Sequence, residues 1–342
     1  MSVSAHSATP RSPLDAPSAV WPITFDEVLA ARDRLAPHLT PTPSRRYALL
    51  ERELELTHPL VVKHENFQPT GSFKVRNGLA LVSGLDDAAR TRGVVGASTG
   101  NHGQGVAYAG ALLGTAVTIC VPAGNNPGKV AAMRAFGARV IEEGRDYDES
   151  VQVMQRIARD EGLTIAHSTN DPRVIAGAAT MTLEILADEP ELDALIVAVG
   201  GGSQAVGAIT VARALRPSLE VYGVQAAGAS AQHDSWHARE PRTTERATTF
   251  AEGVATRRTY ELTFPALRDG LAGFVTVTDA EIAAAMRTII TTTHTLVEGA
   301  GAMGVAALPT LRERLAGKRV AVVLCGANES AAVLRRVLGG EL

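Results

Sequence analysis

From about residue 60 onward the chain alternates short apolar runs with longer helix-like ones, and this rhythm constrains its fold more than any other feature. Segments 60–64, 93–97, 116–121, 139–143, 164–167, 194–199, 220–224 and 319–324 read as strands. Helical spacing fills 73–81, 101–113, 127–136, 147–160, 172–187, 206–215, 279–294, 302–315 and 329–338. Strands of four to eight residues separated by helices predict parallel α/β layers. The 342 residues suit two domains or one large α/β unit. The polar stretch 226–250 breaks the rhythm, as a surface excursion or as a lid.

Charge and composition exclude several function classes. The 33 basic and 36 acidic residues give a net charge of −3 with no long basic run, so nothing favours nucleic acid. No apolar stretch approaches the ~18 residues of a membrane span. Cys120 and Cys325 show no paired spacing, which fits a reduced, cytoplasmic protein. Residues 1–20 are rich in Ser, Ala and Pro and lack an apolar core, so they read as a flexible tail, with a cleaved targeting segment as the alternative.

Only four of the basic residues are lysines: Lys63, Lys74, Lys129 and Lys318. Lys74 ends the run Gln68-Pro69-Thr70-Gly71-Ser72-Phe73-Lys74, between a strand-like and a helix-like segment. A lysine amine can lose its proton and attack a carbonyl to form a Schiff base, which a guanidinium cannot do. Its place in a Gly/Ser turn of an arginine-dominated chain points to a covalently held cofactor, with Phe73 against an aromatic ring. The plain alternative is a surface lysine opening a helix.

Ligands of open parallel sheets gather at the carboxyl ends of strands, and three more turns fall at such ends. Ser98-Thr99-Gly100-Asn101-His102-Gly103 opens a helix, where free N–H groups bind carboxylate or phosphate. An ordinary helix cap would use the same residue types. Gly200-Gly201-Gly202-Ser203 can wrap a phosphate in backbone amides, or serve only as a tight turn. Its spacing is neither Gly-x-Gly-x-x-Gly nor a P-loop, which disfavours a nicotinamide dehydrogenase or a nucleotide-binding P-loop. Cys325-Gly326-Ala327-Asn328 ends the last strand; Cys325 is either a weak neutral partner for a ring nitrogen or a small buried hydrophobe. The nine histidines form no metal-binding pattern, so no metal site is expected; His102 caps or packs, and His167 and His294 are structural.

Taken together and in this order, the segments resemble the fold-type II pyridoxal-phosphate enzymes, and among them the serine/threonine dehydratase (ammonia-lyase) branch. The resemblance covers roughly residues 40–330 and is sharpest in Lys63-His64-Glu65-Asn66-Phe67-Gln68-Pro69-Thr70-Gly71-Ser72-Phe73-Lys74 and Ser98-Thr99-Gly100-Asn101-His102-Gly103-Gln104-Gly105. Phe250-Ala251-Glu252-Gly253-Val254-Ala255 and Val297-Glu298-Gly299-Ala300-Gly301-Ala302 support it.

It implies the two-domain, tryptophan synthase β-like open parallel-sheet architecture. The small domain would cover 68–170, and the large one 21–67 plus 171–342. It also implies a homodimer without a C-terminal regulatory domain, and pyridoxal 5′-phosphate as cofactor. By the same resemblance Lys74 would form the Schiff base and transfer protons, with Ser98 and Thr99 as the other catalytic side chains. Phe73 would pack on the ring, Asn101 would bond its phenolic oxygen, and Gly200, Gly201, Gly202 and Ser203 would hold the phosphate. Ser98, Thr99, Gly100, Asn101 and His102 would take the substrate carboxylate. Cys325 would sit near the pyridine nitrogen and leave it largely unprotonated.

The implied reaction removes water and then ammonia from a β-hydroxy amino acid of the threonine/serine type, giving a 2-oxo acid. Alternatives on the same cofactor are β-replacement, racemisation, or dehydration of a hydroxyaspartate or 3-substituted serine. A binding module without catalysis is a further alternative, against which Lys74 argues. Three places depart from the family pattern. Ser203-Gln204 replace a fourth glycine and an apolar residue, Arg76-Asn77-Gly78 replace Arg-Gly-Ala, and Gln225 replaces a glutamate that helps bind a divalent cation in some relatives.

Overall fold

The computed structural model describes residues 21–342; the expected tail over 1–20 lies outside the described residues. Leu60–Lys63 and Val320–Val323 are buried along their whole length, as strands covered on both faces must be. They are adjacent interior strands of a six-stranded sheet. In chain order the strands are β1 (Ser44–Arg46), β2 (Leu60–Lys63), β3 (Val94–Ala97), β4 (Val117–Val121), β5 (Arg139–Glu142), β6 (Thr164–Ile165), β7 (Ala194–Ala198), β8 (Glu220–Ala226), β9 (Gly273–Val277) and β10 (Val320–Val323). The six-stranded sheet runs β1-β2-β10-β7-β8-β9 and a four-stranded one runs β5-β4-β3-β6. Every pairing is parallel except β1 with β2.

The structure has the alternating α/β architecture, with instructive exceptions. β1 is a three-residue antiparallel edge strand of Ser44, Arg45 and Arg46, too short and polar to show an apolar period. β9 follows the polar excursion and escaped the alternation. The segment 302–315 is not one helix but two, Gly299–Ala306 and Leu308–Leu315. Pro309 stands in the first turn of the second, and its ring would collide with a carbonyl one turn back in a continuous helix. The helix expected over 206–215 begins three residues earlier, at Ser203, on the glycine turn itself. The strand expected over 164–167 stops at Ile165, because His167 turns inward to accept backbone N–H groups from Thr169 and Asn170. Within 226–250, residues Ala231–Ala238 form a helix, and 243–249 form a wall of the central cavity rather than a free excursion.

Helices Lys74–Ser83, Asn101–Leu113, Pro172–Asp188 and Ser203–Leu215 pack closely on one another. Gly78 and Gly105 allow the first two to touch backbone to backbone. A Cβ on Gly78 would lie 2.2 Å from the Gly105 carbonyl oxygen, and one on Gly105 would lie 2.3 Å from that of Lys74.

Beneath these helices lie three buried charges and a half-buried one. Arg76 donates to Glu65 at 2.8 and 2.9 Å and to Glu184 at 2.7 Å through two nitrogens. Lys63 donates to Glu184 at 2.7 Å and to the Thr42 carbonyl at 2.6 Å. Burial pushes Glu65 up, but the Arg76 guanidinium and the hydrogen bonds outweigh it and hold the carboxyl below its ordinary range. Two cations balance two anions, which is what makes their burial tolerable. Arg76→Leu leaves the two carboxylates with Lys63 alone. Urea unfolding should show a loss of about 3–5 kcal/mol, and a loss within experimental error of zero would mean that the quartet does not hold the fold.

Candidate active site

The loop before Lys74 is stitched to the end of β10. Asn66 donates to the Leu324 carbonyl at 2.8 Å, Phe73 to that of Cys325 at 3.0 Å, and Ala327 to that of Gly71 at 2.8 Å. Ser72 bridges Gly326 across the same junction. Gly71 has φ +67°, a left-handed conformation in which a side chain is strained. These bonds place Lys74 and Cys325 on the wall of one cavity of about 900 Å³, which also takes in the turns at 98–102 and 200–204.

The four lysines divide sharply. Lys63 is bound to Glu184, Lys129 to Glu252 and Lys318 to Glu220. Lys74 has no ion pair among the described residues. Burial lowers its pKa to about 8, against smaller opposing effects from Cys325 and Glu298. Its Nζ lies 4.9 Å from the centre of the Phe73 ring. A buried amine with no carboxylate to hold its proton is poised to be neutral, the form that attacks a carbonyl.

The turn at 98–102 opens the helix Asn101–Leu113 onto the cavity. Ser98 Oγ accepts from the backbone N–H of Gly100 at 3.2 Å and of Gly103 at 2.9 Å, so its hydroxyl oxygen serves the turn. Thr99 faces the cavity more openly. His102 sends Nε2 to the Ala166 carbonyl at 3.0 Å, and burial lowers its pKa to about 3, so it is neutral. Asn101 is clamped at both ends of its amide. It donates to Glu298 Oε1 at 2.7 Å and accepts from Asn328 Nδ2 at 2.8 Å, and Asn328 also holds the Thr70 carbonyl. One N–H of Asn101 is left for a ligand.

Across the cavity, Gly202 takes φ +100° just before the helix Ser203–Leu215. Thr263 Oγ1 donates to the Gly201 carbonyl at 2.6 Å and anchors the turn. A Cβ on Gly201 would come within 1.9 Å of Thr169 Oγ1. Burial raises Cys325 well above the ordinary thiol range, reinforced by Glu298, so it stays a neutral thiol.

Two features of this site lie in segments that the sequence marked without giving them a role. Glu298 is fully buried, and burial raises its pKa to about 7 against the pull of Lys129 and Asn101. Segment 243–258 forms the outer wall, closed by the ion pairs Arg257–Asp148 and Lys129–Glu252. Glu298 and Asn101 are 197 residues apart, a contact only the fold creates. Gln225 is tied up within the protein, accepting from the His233 N–H at 3.0 Å and donating to Thr256. Among the described residues no three His, Cys, Asp or Glu side chains cluster as metal ligands.

Comparison with known proteins agrees with this geometry. The family model described as pyridoxal-phosphate dependent enzyme matches residues 35–326. An L-threonine ammonia-lyase of Thermotoga maritima is 36% identical over 283 residues, 83% of this chain and 70% of the relative. An L-threo-3-hydroxyaspartate ammonia-lyase of a Pseudomonas species is 34% identical over 305 residues, 89% of this chain and 95% of the relative. Among solved structures, a threonine deaminase of T.th. superposes with a TM-score of 0.85 at 34% identity, covering 90% of this chain and 99% of its own. Maize serine racemase does so at 0.88 and 27%, covering 94% and 98%. The chain belongs to the pyridoxal-phosphate dependent enzymes and has their fold-type II architecture. Its cofactor is pyridoxal 5′-phosphate. The residues present fit that group: an unpaired buried amine, and opposite it a glycine turn too crowded for side chains at the N-terminus of a helix.

The two shifted groups give the cofactor-free protein a pH signature. Folding favours neutral Glu298, so its contribution to stability is complete below the ordinary glutamate range and is lost as pH rises through about 7. Folding also favours neutral Lys74, whose contribution is complete above the ordinary lysine range and is lost as pH falls through about 8. Glu298→Gln removes the first effect. Calorimetry of the cofactor-free protein should show the variant's Tm gaining on the wild type's by about 2 °C from roughly pH 6 to pH 9. Parallel curves would contradict the buried-acid account.

Proposed function

We propose that this enzyme is an ammonia-lyase that removes water and then ammonia from a β-hydroxy amino acid of the threonine/serine type, leaving a 2-oxo acid. The observation that carries the reading is the desolvated Lys74 amine, without an ion pair among the described residues, on the same cavity as two helix N-termini. One N-terminus suits the cofactor's phosphate and the other the substrate's carboxylate. The relatives named ammonia-lyases support the reaction class.

Bound here, pyridoxal phosphate supplies an electron sink for the charge left when the α-C–H bond breaks. The protein supplies the rest. Lys74 Nζ would anchor the cofactor, and its free amine would take the α-proton. The backbone N–H groups of Gly100, Asn101 and His102 hold the substrate carboxylate and so fix the direction of the α-C–H bond. Ser98 shapes that turn through its Oγ, which leaves Thr99 as the hydroxyl facing the substrate. Asn101 offers its free N–H to the phenolic oxygen, and Phe73 packs on the ring. Gly200, Gly201, Gly202 and Ser203 hold the phosphate. Cys325, a neutral thiol, stands by the pyridine nitrogen without protonating it. The β-hydroxyl departs as water, and hydrolysis of the resulting imine returns that water and frees ammonia.

One observation favours an acidic substrate within this class. Arg246 and Arg258 line the cavity, and neither has a carboxylate partner among the described residues. The proposal also includes a small lobe over 68–170 and a large one over 21–67 plus 171–342, supported by the membership of the two sheets. A cytoplasmic location, supported by two free buried cysteines, and a homodimer complete it.

The test is a product assay on the purified holoenzyme with L-threonine, L-serine and L-threo-3-hydroxyaspartate. Equal amounts of 2-oxo acid and ammonia should form from at least one of them, with the hydroxyaspartate favoured if Arg246 and Arg258 act on it. Lys74→Ala should lower the rate by about 10³-fold or more. A holoenzyme that forms no 2-oxo acid from any of the three would overturn the reading.

A further inference from the structure

Two of the departures from the family pattern meet in space. Asn77, where that pattern has glycine, is fully buried on the helix Lys74–Ser83, one turn beyond Lys74. Ser203, where it has a fourth glycine, begins the helix behind the glycine turn. Asn77 Nδ2 donates to Ser203 Oγ at 3.4 Å, although the two lie 126 residues apart. Three substituted positions thus put polar side chains into an apolar helix junction, and two of their atoms lack partners. Asn77 Oδ1 and Gln204 Nε2 are both buried without a hydrogen bond. Gln204, only 3% exposed, lines the cavity beside Ser203.

Buried polar groups without partners cost stability, so a polar cluster of this kind needs a ligand to complete it. The hydrogen-bond directions indicate which. A hydroxyl has one proton to donate. Because Asn77 occupies Ser203 Oγ as a donor, that proton is free to point elsewhere, and Ser203 faces the cavity at a helix N-terminus where N–H groups also converge. Gln204 adds amide N–H groups. Ser203 thus presents a hydroxyl donor beside the backbone N–H groups of the helix start, the kind of donor set that a phosphate monoester accepts from.

We infer that Asn77 is a positioning residue for cofactor binding: acting through Ser203, and together with Gln204, it turns the glycine cradle into a phosphate-monoester site with side-chain donors. The inference rests on the proposed assignment of this turn to the cofactor's phosphate. It adds that the affinity of the chain for that phosphate depends on a residue that does not line the cavity.

The experiment is equilibrium dialysis of the full-length chain against pyridoxal phosphate and, separately, against pyridoxal, which lacks the phosphate. The variants are Ser203→Gly, Asn77→Ala and the double variant, with inorganic phosphate as competitor. Ser203→Gly restores the glycine of the family pattern and so guards against simple failure to fold. Each single change should weaken pyridoxal phosphate about tenfold and leave pyridoxal unchanged, and inorganic phosphate should compete less well. The double variant should lose no more than either single one, because Asn77 works through Ser203. Wild-type affinity in both single variants would overturn the inference, as would multiplied losses in the double variant or an equal loss for pyridoxal. A wild type that binds neither compound would instead overturn the cofactor assignment beneath it.

Discussion

The site depends on the Arg76 guanidinium. It holds Glu65, at the end of the first central strand, and Glu184, on a helix more than a hundred residues later, and so fixes the helix that begins at Lys74. Removing one partner of such a buried set leaves an uncompensated charge, which is why the arrangement tolerates no partial version. It also has a chemical consequence. Glu184 satisfies Lys63 as well, so Glu65 and Glu184 are both already paired with other cations. Lys74 is left without an ion pair among the described residues, and desolvation shifts its amine toward neutrality.

The groups deepest in the cavity show the same economy of charge. His102 is neutral by burial, and His167 accepts two backbone N–H groups at Nδ1, with its pKa lowered by burial. Cys325 is held as a thiol. Glu298 and Lys74 are both shifted toward neutral pH, and Glu298 touches Asn101, whose amide is fixed from the other side by Asn328. At the turns 98–102 and 200–204 a bound anion would be held mainly by helix N-termini and directed hydrogen bonds, which act strongly where water is excluded.

Much of this was legible in the sequence, for local reasons. Strands buried on both faces are apolar throughout, and the helix 101–113 has clear ends in Gly100 and Gly114, so the α/β alternation shows without a template. The glycine and hydroxyl turns stand out because few residues fit a backbone that meets a ligand or takes a left-handed angle, as Gly71 and Gly202 do. What the sequence hid depends on distance. Glu298 acquires its meaning from Asn101, and Ser203 from Asn77, each pair far apart in the chain. β1 hid because an edge strand of serine and arginine has no apolar face. The wall over 243–258 hid because it has no regular period and is placed by ion pairs with the opposite side of the cavity.

The central claim is that the chain's chemistry resides at one lysine of four. Borohydride reduction of the holoenzyme fixes the cofactor to whichever amine holds it, and peptide mass spectrometry then locates it. The account predicts a reduced pyridoxyl group on the peptide containing Lys74 and none on those containing Lys63, Lys129 or Lys318. A label on any of those three, or a holoenzyme whose cofactor is lost on denaturation after reduction, would contradict it.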